Sequence, residues 1–388
     1  MTNGGRVVIV GAGIAGAACA RHLADQREVV WLERGGGPVA ESTGHGVGMV
    51  RRLTDDPVER ALGRVTRAWL GTRSDPHLTF PGAVVALAHD PTALNGAVAG
   101  VRAHGVDVRL GPAPPVCAGS AIRTWWWAPD EAMVDPRALA TGLAREAVAA
   151  GATLHPGRAV TGLRRRAGRI SGVDTDSGPI EADEVILAAG AWSGRLAATA
   201  GLDRPLVPLR RSVARVAAPA PAGHPWVWID DDGLYLRPEA ERGTWLVCPC
   251  DEAVDREADL RDTPSDRSRG PLTEAARALV ADKLARWAPS LAAAPVVEGW
   301  SGLRTFTPDR RPLLGADADL PGLWWCAGLG GYGVTCGWAA AAAVTTWLTG
   351  GSVDWLAPSL VAPGRPMLGR FPIRPTGQAH RSVLITTR

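Results

Sequence analysis

The sequence predicts an α/β (α+β) fold in which a parallel-sheet domain is interrupted by a second domain built on an antiparallel sheet. Three observations carry this. A strand, a glycine-rich turn, a helix and a second strand follow one another within residues 6–33. A buried-strand pattern running into another glycine turn recurs at residues 183–193, where it can return to the same sheet. From about residue 206 to 300 the pattern changes to short β-rich runs containing tryptophan.

Composition bounds the rest. The 388 residues are 46% hydrophobic, 21% charged and 5% aromatic, which excludes a disordered chain, a collagen-like repeat and a disulfide miniprotein. The length fits roughly two to three domain-sized units, or one large core with an insertion. Lys+Arg number 42 against 39 Asp+Glu, and the net +3 is scattered along the chain, so no nucleic-acid partner is implied. The cysteines Cys19, Cys117, Cys248, Cys250, Cys326 and Cys336 include one close pair, and neither a zinc site, another metal site nor a disulfide framework is readable. The opening MTNGGRVVIVGAG lacks a basic n-region, an apolar h-region and a cleavage site, which predicts a cytoplasmic protein.

Taken in order, the first element is a strand from Arg6 to Val10, followed by Gly11-Ala12-Gly13-Ile14-Ala15-Gly16, a helix to about Asp25 and a strand from Val29 to Glu33. This is a Rossmann-like dinucleotide fingerprint in its proper setting. Gly11 permits the tight turn, Gly13 lets the backbone approach a pyrophosphate, and Gly16 lets helix and sheet pack closely. Exposed amides and the helix N-terminus then hold the phosphates. Glu33 can accept hydrogen bonds from ribose hydroxyls, and an acid there disfavours a 2′-phosphate. Next, residues 41–51 (ESTGHGVGMVR) are small and hydroxylated, so an extended chain can lie against a large flat ligand, which favours FAD over NAD.

Beyond Met133-Val134-Asp135-Pro136 come a helix from Arg137 to Ala150, a strand near Thr153 and a hairpin-like run from Ala159 to Ile180. Arg164, Arg165, Arg166 and Arg169 fall at the hairpin's turn and read as a solvated surface. The inserted β-rich runs are Arg211 to Ala217, Trp226 to Ile229, Leu234 to Arg237 and Trp245 to Cys248, and a helix from Leu272 to Ala288 carries the only lysine, Lys283, on a face expected to be exposed. The uncharged stretch from Leu320 to Val353 has the length of a membrane span. Pro321, Gly322, Gly328, Gly330, Gly331, Gly333 and Gly337 break it, so it reads as a strand from Leu323 to Ala327, a glycine loop and a helix of about four turns.

The motifs GAGIAG at 11–16 with Glu33-Arg34, Ser42-Thr43-Gly44, AAGAW at 188–192, GLRTFTPDRRPLLG at 302–315 and GLGGYGVT at 328–335 occur in that order. Together they resemble the FAD-dependent D-amino acid oxidase and dehydrogenase superfamily, to which glycine oxidase and sarcosine oxidase belong. With RRS at 210–212 and GGYG at 330–333, the nearest look is D-arginine dehydrogenase. The resemblance runs from about residue 5 to 355. It implies a discontinuous FAD-binding domain of residues 1–80, 135–205 and 300–362, a substrate-binding domain of residues 81–134 and 206–299, and a C-terminal strap and tail at 363–388.

The resemblance also implies the chemistry. A hydride leaves the carbon beside the nitrogen of an amino or imino acid for flavin N5, giving an imine that water hydrolyses; the flavin carries the difficult step. The implied FAD site comprises Gly11, Gly13, Ile14, Ala15 and Gly16, then Glu33 and Arg34, then Ser42, Thr43, Gly44, His45, Gly46, Gly48 and Met49. It continues with Val160, Ala189, Gly190 and Trp192, and closes with Arg304, Gly328, Gly330, Gly331, Tyr332, Gly333, Val334 and Thr335. Arg304 and Arg211 match positions that clamp a substrate carboxylate, where a guanidinium can meet both oxygens. Tyr235 matches a hydroxyl donor to the same group, and Tyr332 and Met49 complete the implied catalytic set.

Departures limit the likeness. Met49 and Thr54 stand where D-arginine dehydrogenase has a histidine and a tyrosine, and its glutamate for a cationic side chain falls near Gly82 or Ala83, so a long basic substrate is not expected. His45 matches a histidine that the dimethylglycine dehydrogenase branch bonds to the flavin; here it either makes that bond or hydrogen-bonds the ring or a phosphate. The cysteine that sarcosine oxidase uses for attachment falls at Gly302, and its oxygen-activating lysine near Val247. Oxygen and a quinone both remain open as electron acceptor. Two other readings stand beside the leading one: a biosynthetic flavoenzyme acting on an amine or larger intermediate without a free α-carboxylate, and a flavin-binding subunit of a complex.

Overall fold

The computed structural model describes residues 5–366 apart from 55, 76, 91, 93 and 256–269. Its first sheet is built around β1 (Arg6–Val10), which lies between β2 (Glu28–Glu33) and the strand Glu184–Leu187, parallel to both. Thr153–Pro156 extends the sheet beyond β2, and Leu323–Ala327 extends it beyond Glu184–Leu187, again in parallel. Leu313–Ala316 closes the far edge antiparallel.

Alternation along β1 divides two cores. Val7 and Ile9 pack towards the helices, and Val8 and Val10 pack towards a three-stranded meander formed by Val160–Arg166, Arg169–Thr175 and Gly178–Glu181. The helical layer contains α1 (Ile14–Leu23), Pro57–Leu70, Pro136–Ala149 and Gly333–Leu348. Local chemistry starts two of them: Asp56 and Asp135 each accept two amides of the following turn, with proline in the first helical position. The meander's first hairpin turns at Ala167 (φ 50°) and Gly168 (φ 77°), so Arg166 faces Arg169 at its tip. The uncharged stretch resolves into the expected strand, loop and helix; among the described residues no helix is long and apolar enough to cross a membrane.

The second sheet has ten strands, with Val207–Ala217 and Val296–Phe306 as its longest pair. One junction departs from the antiparallel expectation: Trp226–Ile229 runs parallel to Ala83–Ala86. These strands come from two separate chain segments, so no tight hairpin fixes their relative direction. One face carries Tyr235, Cys248, Trp228, Val213 and Trp300. The opposite face carries Leu234, Leu236, Val247 and Ala214, packed on the helix Glu274–Trp287.

That helix corrects the reading of Lys283. The side chain is buried, with Nζ donating to the carbonyls of Asp232, Gly233 (3.0 Å) and Pro249 (2.9 Å). An ammonium can be buried when convergent oxygens replace its hydration, and two turns of the sheet supply them here. At the C-terminal end, Leu314 donates to the Val361 carbonyl, while Arg365 holds both Asp309 oxygens at 2.7 Å. The expected tail from residue 367 onward lies outside the described residues.

Candidate active site

A cleft opens at the C-terminal ends of β1, β2, Glu184–Leu187 and Leu323–Ala327, where parallel sheets place their ligands. The turn after β1 forms its floor. Gly11 has φ 101°, and a Cβ on Gly16 would stand 1.9 Å from the Gly11 carbonyl oxygen. A Cβ on Gly13 would meet only Thr43 Oγ1, at 3.2 Å. Thr43 Oγ1 in turn accepts from the Ile14 amide at 3.1 Å, and Ser42 Oγ donates to the Leu303 carbonyl at 2.7 Å. The loop after β2 thereby links the glycine turn to a strand of the second sheet.

Glu33 lies at the cleft's nucleoside end. Its two oxygens accept from the amides of Ala12 and Gly35 at 2.7 Å each, yet burial raises its pKa above the usual carboxylate range. The Arg34 guanidinium lies 3.6 Å from the Trp192 ring centroid and pairs with Glu41 at 2.6 Å. Val160, Ala189 and Gly190 line the same wall. An acid for ribose hydroxyls, a glycine turn for a pyrophosphate and a small-residue wall are the features FAD requires, so the residues present fit it.

Gly328, Gly330 and Gly333 line the opposite end of the cleft, together with Arg304. Gly330 is fixed by its own amide on the Thr305 carbonyl (2.9 Å), and any Cβ there would press on Phe306 at 2.6 Å. Arg304 donates to the Gly331 carbonyl at 3.2 Å. A Cβ built on Gly331 would lie 3.7 Å from Arg211 Nη1 and 3.9 Å from Arg304 Nη1, so the two guanidiniums converge there. The pairing of Val207–Ala217 with Val296–Phe306 produces this, setting Arg211 opposite Gly302. Arg210 faces elsewhere, towards Asp255 at 2.6 Å.

Tyr235 is 2% exposed, and its hydroxyl has no hydrogen-bond partner among the described residues. Burial raises its pKa, and Arg304 is among the charges acting on it. Burial lowers the pKa of Arg304. It also works against the charge of Arg211, but the carboxylate of Glu252 beside it holds that guanidinium protonated. Glu252 bridges Arg211 and Arg310 and is itself pulled down to about 2, burial being outweighed by those two arginines.

Other expected residues take supporting places. A Cβ on Gly44, Gly46 or Gly48 would collide with Val39, Pro136 or Val134, so this run packs one segment against another. Thr335 Oγ1 donates to the Met49 carbonyl at 3.1 Å, and Val334 packs into the helical core. The His45 carbonyl accepts from Trp300 Nε1 at 3.0 Å, and its imidazole lies against Gly302. Thr54 donates to Glu59 and is buried. Sequence reasoning missed Arg51, whose guanidinium carbon lies 4.3 Å from the Tyr332 ring centroid and 5.0 Å from that of Trp228. It also missed Arg158 and Glu41 in the cleft and the thiol pair beside the clamp. Strand alternation signals Cys248 only once its pairing with Tyr235 is known.

A family model described as FAD dependent oxidoreductase (DAO) matches residues 6–347. Glycine oxidase of Pseudomonas aeruginosa is 29% identical over 337 residues, covering 82% of this chain and 88% of that protein. The bifunctional protein ThiO/ThiG of Trichormus variabilis is 31% identical over 199 residues, 51% of this chain, and the match spans only 28% of that longer protein. Among solved structures, L-proline dehydrogenase from P. horikoshii aligns with a TM-score of 0.82 at 22% identity, covering 94% of this chain and 98% of the other. Glycine oxidase from Geobacillus kaustophilus aligns with a TM-score of 0.79 at 24% identity, covering 93% and 99%. The chain belongs to the FAD dependent oxidoreductase family.

Proposed function

We propose that this flavoprotein oxidises the C–N bond of a small amino or imino acid, held by its carboxylate between Arg304, Arg211 and Tyr235. The observation that carries the reading is the convergence of the buried Arg211 guanidinium and the half-buried Arg304 guanidinium beside Gly331, with the buried hydroxyl of Tyr235 on the same sheet face. Paired guanidiniums offer planar forks to a carboxylate, and the phenol supplies a further donor. When bound, FAD supplies the two-electron acceptor for the oxidation.

The protein's own part is to orient the substrate and exclude water. Arg304 is held by the Gly331 carbonyl and Arg211 by Glu252, so both are positioned before a substrate arrives. Trp228, Tyr235 and Trp300 share the sheet face beside them, and their bulk favours a short substrate side chain. The named glycine oxidases among the relatives are consistent with this size.

The test is anaerobic mixing of the yellow protein with amino and imino acid pools. Bleaching by a small amino or imino acid is expected; bleaching only by amines lacking a carboxylate would overturn the reading. Arg304→Ala should keep its flavin and lose on the order of 2–5 kcal/mol of transition-state stabilisation, roughly 30-fold to several thousand-fold in kcat/KM. Arg304→Lys should recover only part of that, because an ammonium cannot reproduce the planar fork.

A further inference from the structure

All six cysteines are buried and none is joined in a disulfide, and two of them stand beside the clamp. Thr244–Cys248 ends at Cys248, whose partner across the sheet is Tyr235, so thiol and phenol share one face. The chain then turns through Pro249 to Cys250, which has φ 52°. A side-chain-bearing residue keeps such a left-handed conformation only when its surroundings over-determine it. Three anchors do so here: Lys283 holds the Pro249 carbonyl, Ser212 donates through N and Oγ to Asp251 at 2.7 Å each, and Glu252 pairs with Arg211 and Arg310.

The turn brings Cys250 Sγ to 3.9 Å from Cys248 Sγ, with the Cys250 thiol donating. That hydrogen bond, with Arg211 and Arg304 nearby, lowers the Cys248 pKa against the effect of burial and raises that of Cys250. A stabilised thiolate beside a second thiol is the arrangement of an attacking and a resolving cysteine. The clamp must admit a substrate, and a hydroperoxide is smaller than any amino acid.

We propose that Cys248 and Cys250 form a peroxide-sensitive dithiol within the clamp, closing reversibly to a disulfide. The Cys248 thiolate attacks one oxygen of hydrogen peroxide, the O–O bond breaks, and hydroxide leaves, taking up a proton to form water. The resulting Cys248 sulfenic acid is attacked by Cys250; the S–S bond forms and a second water leaves. Two thiols lose two electrons and one peroxide gains them. Closure needs the sulfurs to approach from 3.9 Å to about 2 Å. Cys248 is paired with Tyr235, so this displacement disturbs the clamp, where about 1 Å of misplacement is worth on the order of 100-fold.

The chain contains its own control. Cys19 and Cys326 are also hydrogen-bonded to each other and buried, but they lie in the apolar helical core and the Cys19 pKa is raised. No guanidinium is among the groups acting on Cys19, whereas Arg211 and Arg304 both act on Cys248.

The experiment treats the flavin-loaded protein with a few equivalents of hydrogen peroxide, then alkylates it under denaturing conditions and maps peptides by mass. A 2 Da loss confined to the peptide or cross-linked peptides holding Cys248 and Cys250 is expected, reversed by dithiothreitol, with the other four cysteines still alkylated. Cys250→Ser should stop at a sulfenic acid on Cys248 that dimedone traps. The proposal depends on the clamp's geometry and not on which substrate it takes, so this readout needs no substrate. Free Cys248 and Cys250 after treatment, or oxidation of Cys19 and Cys326 instead, would overturn it. With an amine from the bleaching assay, oxidised protein should turn over at least about tenfold more slowly until reduced; unchanged turnover of the disulfide form would refute the effect on the clamp.

Discussion

In the proposed site the backbone does the binding around the nucleotide end of the cleft, through a turn whose glycines are demanded by contacts as short as 1.9 Å. Around the clamp, side chains do it, delivered by strands at residues 207–217, 234–239 and 296–306. The difference teaches that the two ends make different demands on the sequence. A backbone cradle needs particular residues at fixed spacing. A side-chain clamp needs only that some residue reach the right point from a strand whose register is set elsewhere.

The comparison can be broken most severely at the turn. Gly16→Val should yield no flavin-loaded protein, because its Cβ alone would overlap the Gly11 carbonyl oxygen; the visible flavin spectrum after purification checks this. A yellow Gly16→Val protein would show that the cradle is not built as described. The Arg304→Ala loss comes next in size, and retained colour there separates the two ends.

Lys283→Met probes the second sheet. It leaves carbonyls at 232, 233 and 249 without their buried donor, a cost of about 3 kcal/mol. The urea midpoint should fall while flavin content at low denaturant stays that of the wild type. Loss of flavin in proportion would tie the two regions more closely than their separate chemistries imply.

A smaller effect should come from Glu33. The ribose hydroxyls of a bound FAD would donate to its carboxylate and favour the ionised form, whereas burial by itself favours the protonated form. FAD affinity should therefore fall as pH drops through the raised pKa, by at most about tenfold per pH unit, and Glu33→Gln should flatten the dependence. In the apoprotein the sign is reversed, since ionising Glu33 works against folding. Equilibrium dialysis of flavin across pH checks the first, and urea unfolding of the apoprotein across pH checks the second. The smallest change is expected at His45: flavin should wash out of acid-precipitated wild type and His45→Ala alike, and a wild-type precipitate that stays yellow would show a covalent bond.

Much of the fold was legible because local chemistry and tertiary need coincide. Asp135 before Pro136 reads as a helix start and is one, and the glycines from 328 to 333 read as a loop between strand and helix and form one. Lys283 was misread because a lone charge on a helix defaults to solvent, and its three acceptors come from turns 34 to 51 residues away. Arg51, Trp228 and Cys248 carry no local signal for the same reason. Their neighbours are set by pairings such as Tyr235 with Cys248, which no periodicity within one strand reports.

The placement of β1 also has a consequence for biogenesis. A ribosome delivers the chain from its N-terminus, so β1 and β2 emerge early. β1 nevertheless lacks its second neighbour until Glu184–Leu187 has been made, and the sheet edge awaits Leu313–Ala316 and Leu323–Ala327. The inserted strands at 207–217, 226–229, 234–239 and 244–248 are translated within that interval. A nascent chain halted before residue 313 would thus display an apolar, half-paired strand edge to chaperones, with the glycine turn present and no wall to close over a nucleotide.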